Sequence, residues 1–244
     1  MIRTIGAYTY LFLYGIYSLF LQAYIYWFVQ KKDPMKASVM SQKDVSRAFR
    51  VILFISGVKV EIKGKNNIPK NEPVLYVANH RSFYDIAIGY SYLPIPLGFV
   101  AKKEMAKVPF ISRWMRYMHC VFLDRQNPRE GLKSIMEGVE NIKAGYSMFI
   151  MPEGTRNHEP KLKPFKKGSF KMAEKAKCRI VPIALTNTDE IFENSFPIIK
   201  PAKIIMEIGK PIDLAKLSKE EKETINEDVA SMIQDMIDKN LKEA

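Results

Sequence analysis

Cysteine, histidine and acidic side chains are scarce in this chain of 244 residues, and each shortage excludes something. Cys120 and Cys178 stand alone, with no C-x-x-C pair or Cys/His cluster. Neither a disulfide framework nor a zinc site is indicated, and a reducing, cytosol-facing compartment fits. With only His80, His119 and His158 as further soft ligands, no metal or cofactor is expected. Asp and Glu number 26 against 38 Lys and Arg, a net charge of +12. An excess of that size implies an anionic partner: nucleic acid, acidic lipid or a phosphorylated substrate. The chain carries no nucleic-acid-binding motif, internal repeat or low-complexity segment.

Charge of either sign is missing altogether between Arg3 and Lys31. Thr4–Gln30 is long enough to cross a bilayer core, which needs about 20 helical residues. The stretch is also rich in rings: Tyr8, Tyr10, Tyr14, Tyr17, Tyr24, Tyr26 and Trp27. Tyr and Trp favour the headgroup region, so a helix lying in the interface or entering one leaflet fits as well as a full span. A cleaved signal peptide fits poorly, because Lys31-Lys32 follows in place of a small-residue cleavage site. Asp33-Pro34 breaks the helix. Val45, Ala48, Phe49, Ile52 and Ile55 then predict a second, amphipathic helix over about Ser41–Ser56. Its apolar stripe faces either lipid or the rest of the protein. Residues 1–57 thus read as a membrane-associated helical hairpin, flanked by Arg3, Lys31, Lys32, Lys36 and Lys43, which suit anionic headgroups.

Residues 58–244 change in texture. Val58–Lys63 alternates as a strand and Gly64 ends it. Further strands are predicted at Pro73–Ala78, Leu97–Ala101, Cys120–Leu123, Ser147–Met151, Ile180–Leu185 and Ala202–Ile208. Helices are predicted at Ser82–Tyr92, Lys103–Lys107, Phe110–Met118, Pro128–Lys143 and Gly168–Ala176. Alternation of this kind implies an α/β domain with a mixed, largely parallel sheet flanked by helices. Ser218-x-x-Glu221 opens a last, charged helix that reads as a solvated surface element.

Polar clusters sit where several strands end, the place where open α/β sheets bind ligands. After Pro73–Ala78 comes Asn79-His80-Arg81-Ser82-Phe83-Tyr84-Asp85. A carboxylate on one imidazole nitrogen fixes the tautomer and leaves the other as a base. His80 and Asp85 are five residues apart, so they meet only if the chain turns sharply. The same letters also read as a capping box, Ser82-x-x-Asp85, with His80 a surface residue. The two readings are compatible. Asp124-Arg125 ends another strand, and Pro152-Glu153-Gly154-Thr155-Arg156 ends a third. Val181-Pro182-Ile-Ala-Leu is an apolar run holding a proline.

These four blocks, in this order, resemble the four motifs of the glycerolipid acyltransferase family, and most of all its bacterial 1-acyl-sn-glycerol-3-phosphate acyltransferases. The likeness runs from about Val58 to Pro211, and the preceding hairpin resembles that family's membrane motif. The resemblance implies His80 as catalytic base and Asp85 as its orienting acid. Glu153, Gly154, Thr155 and Arg156 match the acceptor-binding block, Arg125 a second phosphate-binding block and Pro182 a structural motif. Lys102 and Lys103 add charge after a strand, or are plain surface. Lys167 and Gly168 resemble an element just beyond the third motif. Departures touch packing: Met151 stands where an aromatic is common and Asn157 where Ser is frequent.

The activity so implied is acyl transfer from an acyl thioester, acyl-CoA or acyl carrier protein, to the sn-2 hydroxyl of lysophosphatidic acid, giving phosphatidic acid for phospholipid synthesis. The alternatives are another acceptor, such as glycerol-3-phosphate or a different lysolipid, and a non-catalytic protein that binds anionic membrane. Glu153 would hold the acceptor hydroxyl or anchor the arginines, and oxyanion donors are expected from backbone N–H groups at the His80 turn or Gly154. Lys161–Arg179, with eight basic residues and one acid, offers anionic lipid, CoA or acyl carrier protein a platform, or is a solvated face. The implied location is the cytoplasmic membrane with the catalytic domain on its cytosolic face.

Overall fold

Two long helices open the protein, whose fold is given by a computed structural model describing residues 1–243. Helix α1 (Ile2–Tyr24) passes without a break into a π-helical stretch, Ile25–Gln30. Asp33 then caps α2 (Pro34–Ser56), accepting a 2.8 Å bond from the Lys36 amide, with Pro34 at the first helical position. Proline there removes an N–H that has no helical partner anyway. The helix therefore starts at Pro34, ahead of the predicted Ser41 and of its apolar stripe. It ends at Gly57, whose φ of +73° is a left-handed cap that favours glycine.

The two arms meet different surroundings. Along α2, Val45, Ala48, Ile52 and Leu53 are buried, and Val45, Ile52 and Leu53 belong with strand residues to one core. The stripe of α2 thus faces protein, not lipid. Arg50 donates two bonds, 3.1 and 2.7 Å, to the Ser91 carbonyl and pins α2 to the domain. On α1 and its π-helical extension only a narrow strip is buried, with Ala7, Ser18, Gln22, Ile25 and Val29 on it. Phe12, Phe20, Trp27 and Phe28 are each more than 60% exposed. Ile2–Gln30 is long and apolar enough to cross a membrane by length and composition, with a mean hydropathy of 1.3. Tyr14 and Tyr17 spend their hydroxyls on Asp44 of α2, at 2.8 and 3.3 Å.

The sheet comprises β1 (Lys59–Lys63), β2 (Leu75–Ala78), β3 (Leu97–Lys102), β4 (Val121–Leu123), β5 (Ser147–Ile150), β6 (Ile180–Thr186) and β7 (Lys203–Ile208). Their order is β1-β7-β6-β2-β5-β3-β4, and only β6 and β7 pair antiparallel. Every residue of β2, β5 and β6 is buried, as expected for strands covered on both faces. Side chains alternate between two cores. Tyr76, Phe149 and Ile183 face the layer of α1, α2, α3 (Tyr84–Tyr92) and α4 (Pro109–Tyr117). Leu75, Met148 and Ile180 face α5 (Pro128–Lys143), α6 (Lys171–Ala176) and α7 (Lys219–Glu243).

Three expectations change. The final helix is no solvated appendage: Ile225, Val229, Ile233 and Ile237 are buried in the second core. Their i, i+4 spacing makes one stripe, which the many charges on the other faces obscure. Its capping box does form, with the Ser218 amide on Glu221 at 2.7 Å and the Glu221 amide on Ser218 Oγ at 3.2 Å. Lys103–Lys107 is a 3-10 segment, and Gly168–Ala176 splits into a 3-10 turn, Lys167–Ser169, and α6.

Candidate active site

Strands β2 to β6 run parallel, so their C-terminal ends share one edge of the sheet. Asn79, directly after β2, is fully buried and fixes the exit. Its amide nitrogen donates to the Leu185 carbonyl at 2.9 Å and its oxygen accepts from the Leu185 amide at 2.8 Å. The chain is thereby stitched to β6 just before His80.

The turn that follows brings His80 and Asp85 together, with Nδ1 2.8 Å from Oδ2. The same oxygen accepts the amides of Arg81 and Ser82, each at 2.8 Å. Asp85 is wholly buried, while the His80 side chain keeps 19% of its surface exposed. A buried carboxylate already accepting two amides is strongly disposed to take the Nδ1 proton as a third bond, which leaves Nε2 with the lone pair. Among the described residues Nε2 has no hydrogen-bond partner. Ser82 Oγ accepts the Tyr84 amide at 3.0 Å, so the helix start and the His-Asp pair are built by one turn.

The Glu153–Asn157 segment runs alongside. The His80 amide donates to Glu153 Oε1 at 2.9 Å, and the Asn157 amide donates to the His80 carbonyl at 2.7 Å. Glu153 Oε2 accepts from Asn157 Nδ2 at 2.9 Å and from the Lys163 amide at 3.0 Å. This residue is 5% exposed, and among the described residues its carboxylate makes no bond to an arginine. It is a strut under the His80 loop, with Asn157 as its partner in that task.

Gly154 lies in the left-handed region, φ +78°. A β-carbon there would stand 3.0 Å from Arg125 Nη1 and 3.5 Å from Lys166 Nζ. Glycine thus meets both a backbone and a packing need, and two cations converge beside it. Neither cation has a carboxylate partner among the described residues. Arg156, about a third exposed, donates from Nη1 to Glu193 Oε1 at 3.2 Å and lies 3.9 Å over the Phe83 ring. Thr155 is exposed.

The remaining candidates make no hydrogen bond to these groups among the described residues. Lys103 is held by Asp124 at 2.7 Å, and that bond keeps the Asp124 carboxyl below the usual range. Lys102 and Lys167 are exposed. It is Lys166, not Lys167, that sits at Gly154. The expected oxyanion donors are already engaged. The amides of His80, Arg81, Ser82 and Phe83 go to Glu153, Asp85, Asp85 and Glu193, and that of Gly154 goes to the Met151 carbonyl. His119 lies before β4, at the opposite sheet edge, and His158 is half exposed, 3.9 Å from Asp189. Among the described residues no cluster of three His, Cys, Asp or Glu side chains could hold a metal.

Known proteins resemble the chain in sequence and in fold. A family model described as Acyltransferase matches residues 59–186. The chain is 31% identical over 193 residues to a 1-acyl-sn-glycerol-3-phosphate acyltransferase of Borreliella burgdorferi, spanning 79% of this chain and 76% of that protein. It is 32% identical over 175 residues to the 1-acyl-sn-glycerol-3-phosphate acyltransferase of Saccharomyces cerevisiae, spanning 70% of this chain and 57% of that one. The crystal structure of the 1-acyl-sn-glycerophosphate (LPA) acyltransferase PlsC from Thermotoga maritima superposes with a TM-score of 0.82 at 25% identity, over 97% of this chain and 94% of that chain.

Proposed function

Because this chain belongs to the Acyltransferase family, we propose that it transfers a fatty acyl group from an acyl thioester to the sn-2 hydroxyl of 1-acyl-sn-glycerol-3-phosphate, forming phosphatidic acid. The observation that carries the reading is the His80–Asp85 pair at 2.8 Å with Nε2 free, with Arg125 and Lys166 gathered at Gly154 and Arg156 over Phe83 of the same turn.

His80 Nε2 takes the proton of the acceptor hydroxyl as its oxygen attacks the thioester carbonyl. The imidazolium so formed lies against the Asp85 carboxylate. The tetrahedral intermediate then collapses, the C–S bond breaks, and His80 returns the proton to the departing sulfur. A positioned base of this kind is worth roughly 100- to 10,000-fold in rate. A thiolate leaves readily, so the chemistry requires neither an acyl-enzyme nor a metal. Arg125, Lys166 and Arg156 bind the acceptor phosphate, where guanidinium offers paired N–H groups.

The donor is acyl-CoA or acyl carrier protein, and the exposed lysines of Lys161–Lys177 suit the acidic character of either. We place α1 in the cytoplasmic membrane on its exposed apolar face, with the site on the cytosolic side, where acceptor lipid is at hand. The product serves phospholipid synthesis. The test is product analysis by mass spectrometry. Purified protein in detergent micelles receives either donor, with lysophosphatidic acid, glycerol-3-phosphate or another lysolipid as acceptor. Phosphatidic acid from lysophosphatidic acid is the expected product. Acyl transfer to another acceptor alone would replace the proposed substrate, and no transfer from either donor would favour a membrane-binding role.

A further inference from the structure

Glu193 lies in the connection between β6 and β7, outside all four motifs, yet it touches three parts of the site. Its Oε1 accepts the Phe83 amide at 2.8 Å and Arg156 Nη1 at 3.2 Å, while Oε2 accepts Ser82 Oγ at 2.7 Å. The carboxylate is 7% exposed. Ser82 and Phe83 belong to the same turn whose amides hold Asp85 against His80. Glu193 therefore fastens the Arg156 guanidinium to the frame that carries the imidazole.

We propose that Glu193 is a positioning residue that aims Arg156 at the acceptor phosphate and so sets the preference for phosphorylated over neutral acceptors. The inference rests on the acceptor proposed above. A guanidinium has five N–H donors in a planar fork. Among the described residues, only Nη1 of Arg156 is engaged, and one face of the plane is covered by Phe83 at 3.9 Å. Two contacts fix the plane while the other N–H groups stay available for a phosphate. The same arrangement accounts for Phe83, an aromatic 57% exposed in the middle of a motif. Its ring is the seat of a cation rather than a part of the core. Without Glu193, the long Arg156 side chain would have to be ordered by the ligand itself, which weakens binding of the phosphate and leaves the His80 chemistry in place.

The experiment is a kinetic cycle on the full-length protein in mixed micelles, using wild type, Glu193→Gln, Arg156→Lys and the double variant. Acceptors are lysophosphatidic acid and the monoacylglycerol of the same chain, the latter read as substrate or as competitive inhibitor. Glu193→Gln is expected to raise KM for lysophosphatidic acid about tenfold, with kcat within about threefold, on the scale of a hydrogen bond to a charged group. The apparent affinity for monoacylglycerol should not change. In the Arg156→Lys background the same substitution should add less than about twofold, because coupled residues are non-additive. If Glu193→Gln lowers Tm sharply, Glu193→Asp takes its place in the cycle, since its shorter reach also breaks the Arg156 pair. Equal losses on both acceptors, a fall in kcat alone, or additive effects in the cycle would each overturn the inference. Wild type with no activity on lysophosphatidic acid would overturn the acceptor reading and this inference with it.

Discussion

Asp85→Asn separates the charge of the proposed acid from its geometry. All three donors to Asp85, namely His80 Nδ1 and the amides of Arg81 and Ser82, converge on Oδ2 at 2.8 Å, and the buried Oδ1 has no partner. An asparagine can keep its oxygen at the Oδ2 position and put its amide nitrogen where Oδ1 was, so no hydrogen bond is lost. What disappears is the negative charge that faces the imidazolium during transfer. Two unit charges about 4 Å apart at an effective dielectric constant of about 20 attract by about 4 kcal/mol. That is a ceiling of about 1,000-fold in rate, at 1.36 kcal/mol per tenfold. Part of the attraction already acts on the Nδ1–H dipole before reaction, so kcat should fall roughly 100- to 1,000-fold, with KM within about threefold. Tm should fall by only a few °C, the cost of amide N–H groups in the buried Oδ1 site that has no partner. Asp85→Ala is the contrast: it also strands the Arg81 and Ser82 amides, at about 1–3 kcal/mol each, and should lower Tm on the order of 10 °C. The assay is thiol release under saturating acceptor, with Tm measured on the same preparations. Asp85→Asn within threefold of wild-type kcat would refute the reasoning, as would a loss of activity matched by a loss of fold.

Lys166→Ala should raise KM for lysophosphatidic acid about 10- to 100-fold, the scale of a hydrogen bond to a charged group, and Lys167→Ala less than about threefold, in the same micellar assay. A larger effect at Lys167 would contradict the placement of Lys166 beside Gly154. Stability should also respond to His119, whose ring lies 3.9 Å from that of Tyr146 and whose burial pushes its pKa below the ordinary 6.5. The folded state then binds fewer protons than the unfolded state, so stability falls as pH drops through 6.5 toward the folded value. His119→Asn, in a residue type that tolerates the φ of +56° found there, should flatten the fall of Tm between pH 7.5 and 5.5.

Much of the fold and part of the site can be read from local pattern. The helix α5 runs over Pro128–Lys143 as the proline at its start predicts, and the strands lie within a residue or two of their predicted bounds. His80 and Asp85 meet because a turn, not a helix, separates them, and the letters Ser82-x-x-Asp85 announce that turn. What stays hidden depends on long-range geometry. Glu193 reaches the site from a loop that carries no motif, and the strand order that brings it there follows from sheet topology. Lys103 reads as a free cation until Asp124 of the neighbouring strand end lies beside it. Glu153 reads as a ligand-binding acid, since nothing local says that three backbone and side-chain donors will fill it. The buried stripe of α7 is masked by charge on the remaining faces, where only the partner sheet decides which side turns inward.

The most direct test of the central claim is thiol release from acyl-CoA in detergent, with and without lysophosphatidic acid, by wild type and by a folded His80→Ala variant, repeated with acyl carrier protein if CoA is not the donor. Direct transfer with His80 as base predicts release that needs the acceptor and falls at least about 100-fold in His80→Ala. Acceptor-dependent release that survives His80→Ala would contradict it.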